Sequence, residues 1–120
     1  MTTDLKGVNL QDSFVLGWQQ RADSLEFIID FSLWPESPDY RRPKENEWTC
    51  YRRGFLQFDS VTAVDGLKDE SKVRASVDAN GEKDFGNIES FEQMTGLVKL
   101  TGDFGAVHVH CGSWKLLLTD

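Results

Sequence analysis

The residues best suited to metal chemistry are His108 and His110, which stand on either side of Val109 and are followed by Cys111. Residues two apart on a β-strand project from the same face, so both imidazoles could reach one ion. A metal site needs at least a third ligand, and Cys111 would point to the opposite face. The pattern favours two solvent-facing or hydrogen-bonded histidines, with a metal site as the weaker alternative. No cofactor is predicted.

Residues arranged for catalysis are not evident. Acid–base catalysis needs two carboxylates, or a carboxylate and a histidine, at a defined separation, and no pair stands out among the 20 acidic residues. Residues 112–114 lack the elbow of a nucleophilic serine, and Cys111 would point away from His110. Residues 102–105 lack the lysine and the following helix of a phosphate-binding loop. We therefore expect a protein that is not an enzyme.

The predicted contact surface is a stretch with three prolines, residues 34–47, and the tryptophan directly after it. Proline removes a backbone donor and restricts the preceding residue, so no regular strand or helix is expected there. Long loops in compact domains are uncommon and are often functional. The side chains of types enriched at interface hot spots are Trp34, Tyr40, Arg41, Arg42 and Trp48. The alternative is that both tryptophans cover one end of a sheet and the arginines are solvated.

Alternating apolar and polar residues predict β-strands in the first third of the chain. The clearest strand is residues 25–33, where five apolar side chains at alternate positions share one face and Ile28 is the only apolar residue on the other. Residues 14–20 form a strand before it, and the two together make a hairpin. Residues 1–12 are polar and are expected to be a lead-in.

Further strands are predicted at residues 48–64, 73–77, 85–94, 97–101, 106–111 and 114–118. The phase of the first slips near residues 59–61, which predicts a bulge. Residues 85–94 would also fit a helical turn, but Gly86 and the β-rich surroundings favour a strand. Residues 97–111 form a second hairpin through a glycine-containing turn.

The predicted fold is a single all-β domain over residues 1–120, an antiparallel β-sandwich or open barrel of about seven to eight strands with at most one short helix. A length of 120 residues suits one hydrophobic core. Cys50 and Cys111 are expected to be buried or half-buried free thiols, because a small secreted domain usually carries more cysteines; a disulfide between them is the alternative.

The formal net charge of −7 limits the choice of partners. It argues against nucleic acid and anionic membranes, and it favours a basic protein partner, which the acidic stretch at residues 65–92 could face. The N-terminus does not resemble a signal peptide, and no apolar run has the length of a membrane helix, so a cytoplasmic location is expected. The alternatives are a structural β-protein that self-associates, for example as a homodimer, and an open barrel that binds a small molecule or a metal.

Three segments carry a family resemblance: Leu10-Gln11-Asp12-Ser13, Gly54-Phe55-Leu56-Gln57-Phe58 and Asp103-Phe104-Gly105-Ala106-Val107-His108-Val109. They resemble small bacterial all-β proteins of unknown function, some of which are immunity proteins of polymorphic toxin systems. Gln11 stands where that family tends to have a histidine. The resemblance implies a non-enzymatic binding protein, and no functional residue carries over.

Overall fold

The computed structural model describes residues 5–45, 47, 49–79 and 81–119. Its strands are β1 (Val8–Gln20), β2 (Ser24–Leu33), β3 (Cys50–Asp59), β4 (Ala63–Asp65), β5 (Ser76–Val77), β6 (Lys83–Asp84), β7 (Ile88–Met94), β8 (Leu97–Gly102), β9 (Gly105–His110) and β10 (Ser113–Leu118). The described part of the chain contains one 3₁₀ turn, Glu70–Lys72, and no α-helix. It therefore holds no helix with the length and apolar character needed to cross a membrane. The predicted all-β fold is confirmed.

The strands form three antiparallel sheets, none of which closes into a barrel. Sheet A has the order β1-β2-β3-β10, sheet B has the order β4-β9-β8-β7, and β5 and β6 make a two-stranded ribbon. Buried side chains from sheets A and B belong to one hydrophobic cluster. The architecture is therefore a sandwich rather than an open barrel.

Aromatic side chains fill the centre of the sandwich. The ring of Phe27 in β2 lies 5.0 Å from that of Phe104 in the β8–β9 turn, and Trp18 at the end of β1 lies 5.0 Å from Phe85. The Trp18 indole Nε1 donates a hydrogen bond of 2.9 Å to the Lys68 carbonyl. A buried indole needs such an acceptor, so this bond ties the segment after β4 to the core.

The hairpin predicted for residues 14–33 is confirmed as β1 and β2. The five alternating residues of β2 are all 2% exposed or less, because β2 lies between β1 and β3 and turns one face to the core. The predicted hairpin 97–111 is confirmed as β8 and β9, and the strand 114–118 is confirmed as β10. Strand β7 confirms the choice of a strand in residues 85–94.

The prediction of a polar lead-in over residues 1–12 is wrong from Val8 onward, where β1 begins. The pairing of β1 with β2 shifts register between Asn9 and Phe14, and this irregularity breaks the alternation by which a strand is recognised. The buried Ser13 hydroxyl compensates by donating to the Asn9 carbonyl at 2.7 Å and accepting from the Ser32 N–H at 3.0 Å.

The single run predicted over residues 48–64 is also wrong, because it is two strands in different sheets. Strand β3 ends at Asp59 in sheet A, and β4 begins at Ala63 in sheet B. Ser60 between them has a positive φ of 53°. The phase slip in the sequence therefore marks a crossing between sheets. The predicted strand 73–77 is reduced to the two residues of β5.

Candidate functional site

The proline-containing stretch after β2 is folded by consecutive turns. The Trp34 N–H donates to the Gly7 carbonyl at 2.9 Å, the Ser37 N–H donates to the Trp34 carbonyl, and the Tyr40 N–H donates to the Ser37 carbonyl. Trp34 is 46% exposed. Tyr40 is half-buried and packs against the core. The loop therefore presents its first tryptophan to solvent and uses its tyrosine for packing.

Arg41, Arg42 and Trp48 complete the predicted contact set. Arg41 and Arg42 are exposed. Trp48 lies outside the described residues. Trp34 borders a groove of about 370 Å³ that is lined by the start of β1 and by β7. The role of this loop as a contact surface stays a prediction.

His108 and His110 lie on the outer face of β9, as their spacing indicates. His108 pairs in register with Asp65 and Lys99, and the His110 Nε2 lies 3.8 Å from the Asp65 Oδ2. Cys111 is buried. Among the residues that the structure describes, no three His, Cys, Asp or Glu side chains are placed to hold a metal ion.

The two cysteines are free and buried, as predicted. Cys50 begins β3, whereas Cys111 lies next to Asp59 at the other end of that strand. Ten residues of strand span about 30 Å, far beyond the reach of a disulfide. Burial, with a further contribution from the Asp59 charge, raises the pKa of the Cys111 thiol.

A pocket that the sequence analysis missed lies between the outer face of sheet A and the β5–β6 ribbon. It has a volume of about 240 Å³. The residues that line it are Phe14, Leu16, Asp30, Glu47, Tyr51, Asp78, Glu82, Lys83 and Asp84. We call this set the acidic pocket, because it combines five carboxylates with one lysine.

Aromatic residues supply the apolar wall of the acidic pocket. Phe14 of β1 and Tyr51 of β3 have ring centroids 5.6 Å apart, and their planes are tilted by 42°. Phe14 is 37% exposed, whereas the side chains of the core are almost fully buried. An exposed aromatic surface next to carboxylates is suited to a cation that carries an apolar stem.

Arg53 links the ribbon to sheet A by hydrogen bonds beside the acidic pocket. Its Nε donates to the Asp30 Oδ1 at 2.8 Å, and its Nη2 donates to both Asp30 and Glu82. Asp30, by hydrogen bonding and charge, and more weakly Glu82, raise the pKa of the guanidinium further. Two of the five carboxylates are therefore fixed by one arginine that bridges two sheets.

Backbone N–H groups fix the other three carboxylates. The Asp78 Oδ1 accepts from the Glu82 N–H at 2.9 Å and the Asp84 Oδ1 accepts from the Gly86 N–H at 3.0 Å. The Glu47 Oε1 accepts from the Lys44 N–H at 3.1 Å. All five are held in place before any ligand arrives, so binding a cation does not require them to be ordered.

Chemically, the acidic pocket is suited to a positive group. Its volume is that of a single side chain rather than a cofactor, and pockets for cofactors and drug-sized ligands are larger, roughly 300–1,000 Å³. The long stems of lysine and arginine can lie on Phe14 and Tyr51 while the charged head meets the carboxylates.

Comparisons with protein-family models, with curated proteins and with solved structures found no match to this chain.

Proposed function

We propose that this chain is a non-catalytic binding protein whose acidic pocket receives a lysine or arginine side chain of a basic protein partner. The observation that carries the proposal is the acidic pocket itself, with an aromatic wall and five carboxylates that are already hydrogen-bonded in place. The net charge of −7 supports it, because a charge of that size speeds the approach of a basic partner at low salt.

The size and the position of the acidic pocket indicate what kind of partner it suits. A cavity for one side chain on an open sheet face suits an anchor residue at the centre of a larger protein contact. The resemblance of three segments to immunity-type proteins agrees with such a contact, in which a basic toxin domain would be the partner. The predicted loop with Trp34 would then form part of the rim or a separate surface.

The experiment is a capture from native lysate with wild type and two matched variants. The first variant, Asp78→Asn with Asp84→Asn, removes two pocket charges, while each amide oxygen can still accept the backbone N–H that fixes it. The second, Asp23→Asn with Glu92→Gln, removes two charges from exposed positions outside the pocket lining. Because the two variants have the same net charge, a difference in their binding reports on the pocket and not on the overall acidity of the protein.

We expect wild type and the second variant to retain the same basic protein, and the pocket variant to lose at least about tenfold in affinity, which corresponds to roughly 1.4 kcal/mol. The loss should be greatest at low salt. Failure of the wild type to retain any basic protein contradicts the proposal. A partner that both variants retain equally, and that Trp34→Ala loses, would place the contact on the loop instead.

A further inference from the structure

A row of apolar side chains crosses the outer face of sheet A, where an antiparallel sheet with one buried face usually carries polar residues. Ile28 of β2 stands opposite Phe55 of β3, and Phe55 stands opposite Leu117 of β10. Gly17 of β1 stands opposite Ile28, and Leu16 precedes it within a register shift. Each strand of the sheet thus contributes one residue to a row that we call the apolar strip, made of Leu16, Ile28, Phe55 and Leu117.

The neighbours of the apolar strip show that it faces away from the core. The residues on either side of Ile28 and of Phe55 are buried, so these two side chains point to the opposite face. Leu116 is likewise buried beside Leu117. All four strip residues are half-buried, and none of them belongs to the core cluster or packs against it. The strip is therefore an apolar surface that the fold leaves partly open to solvent.

One end of the apolar strip lies in the acidic pocket. Leu16 lines that pocket together with Phe14. Asp30, another lining residue, follows Ile28 by two positions and so projects from the same face of β2. From Leu16 the strip crosses the sheet to Leu117, over the three strand spacings from β1 to β10, a distance of about 14 Å. A group that enters the pocket therefore has apolar surface directly beside it.

The two sides of the apolar strip are polar and nearly balanced in charge. On one side Asp30 stands opposite Arg53, to which it is hydrogen-bonded. On the other side Gln57 stands between Glu26 and Lys115, which have opposite charges. The excess negative charge beside the strip therefore lies at its pocket end. An apolar centre with a polar rim is the usual anatomy of a protein contact.

We propose that the apolar strip is covered by the same basic partner whose cationic side chain enters the acidic pocket, through apolar side chains that lie beside that cation. The inference rests on the proposed function and adds to it the chemistry of the partner's surface. The pocket selects the occupant, because its carboxylates attract a cation to one end of the strip. A second copy of this chain also has a net charge of −7, so it offers the pocket no complementary charge.

The test is an NMR titration of isotope-labelled protein with two end-blocked peptides of equal charge, Lys-Ser-Leu-Ser-Leu and Lys-Ser-Ser-Ser-Ser. Alternate side chains of an extended peptide are about 6.7 Å apart, so the two leucines reach along the strip when the lysine is in the pocket. We expect wild type to bind the leucine peptide at least about tenfold more tightly than the serine peptide. The leucine peptide alone should shift the amides of Phe55 and Leu117.

Two protein variants separate the strip from the pocket. The strip variant is Ile28→Thr with Leu117→Thr, which places residues favoured in strands at half-buried positions of the outer face and leaves the core unchanged. The pocket variant is Asp78→Asn with Asp84→Asn. The strip variant should bind both peptides as weakly as wild type binds the serine peptide, whereas the pocket variant should lose both.

Equal affinity of wild type for the two peptides overturns this inference, and it leaves the proposed function in place when the pocket variant loses binding. This comparison uses wild type alone, so it holds even where the strip variant fails to fold. Failure of both peptides to bind wild type contradicts the proposed function as well. Shifts at Phe55 and Leu117 that grow with protein concentration without peptide would assign the strip to a second copy instead.

Discussion

Arg53 illustrates how one residue can define a site in this molecule. It stands opposite Asp30 in the β2–β3 pairing and also reaches Glu82 on the ribbon. The isolated ion pairs of exposed residues add little stability, and the Arg53 side chain is 44% exposed. Its importance is positional, since it holds two carboxylates at the edge of the acidic pocket and offsets part of their repulsion.

The buried thiols allow a direct check of local burial. Burial first, and the Asp59 charge second, raise the pKa of Cys111, so the reactive thiolate is scarce at neutral pH. We expect a Cys50→Ala variant to react with iodoacetamide far more slowly when folded than in denaturant. The folded state holds the Cys111 proton more tightly than the unfolded state does. The protonated thiol therefore contributes its full stabilisation below the pKa of an ordinary thiol, and this stabilisation is lost as the pH rises through the raised pKa of the folded state.

Mass spectrometry of the alkylated protein against time and pH gives the measurement. Denatured protein at the same pH is the control. A folded Cys111 that reacts at nearly the denatured rate would show that this thiol is exposed, and the placement of the chain after β9 would then be wrong.

At the scale of elements, the close approach of the chain after β4 to the start of β9, with which β4 pairs, depends on two glycines, Gly66 and Gly105. Gly105 has a φ of +125°, and a Cβ added there would lie 2.1 Å from the Gly66 carbonyl oxygen. An added methyl group meets backbone rather than a movable side chain. The β8–β9 turn therefore needs glycine for space as well as for conformation.

We predict that Gly105→Ala lowers the free energy of unfolding by more than about 2 kcal/mol, from backbone strain and from the clash together. Gly81→Ala is the matched control, because Gly81 has a φ of +81° and no atom within 4 Å of an added Cβ. Strain alone should cost the control about 1 kcal/mol. Denaturant unfolding measures both losses, and equal losses would contradict the close approach of Gly66 to Gly105.

Sequence periodicity predicted most strands where pairing is regular, and it failed where pairing is irregular. Strand β2 shows clear alternation, with Ile28 as the one apolar exception, because one face meets the core along its whole length. The pattern does not predict the start of β1 or the change of sheet at residues 59–63, because register shifts and a change of sheet both break the period of two. These irregularities depend on tertiary partners such as Ser32 for Ser13, which no local pattern encodes.

At the scale of the whole molecule, the acidic pocket could not be predicted because it has no local motif. Phe14, Asp30, Tyr51 and Glu82 come from three strands and the ribbon, and they meet only through the register of sheet A. In the sequence alone, Asp30 has the pattern of an ordinary solvated carboxylate on an alternating strand. The overall acidity did predict a preference for a basic partner, and that inference now has a specific location to test.

The central claim, that the acidic pocket receives a cationic side chain, is tested most directly by NMR. A short basic peptide is titrated into isotope-labelled protein, and amide shifts are followed at low and at high salt. We predict that the shifts centre on Phe14, Asp30, Tyr51 and residues 78 and 82–84, weaken in high salt, and vanish in the Asp78→Asn, Asp84→Asn variant. Shifts spread evenly over all acidic surfaces, or centred on Trp34 and Arg42, would contradict it.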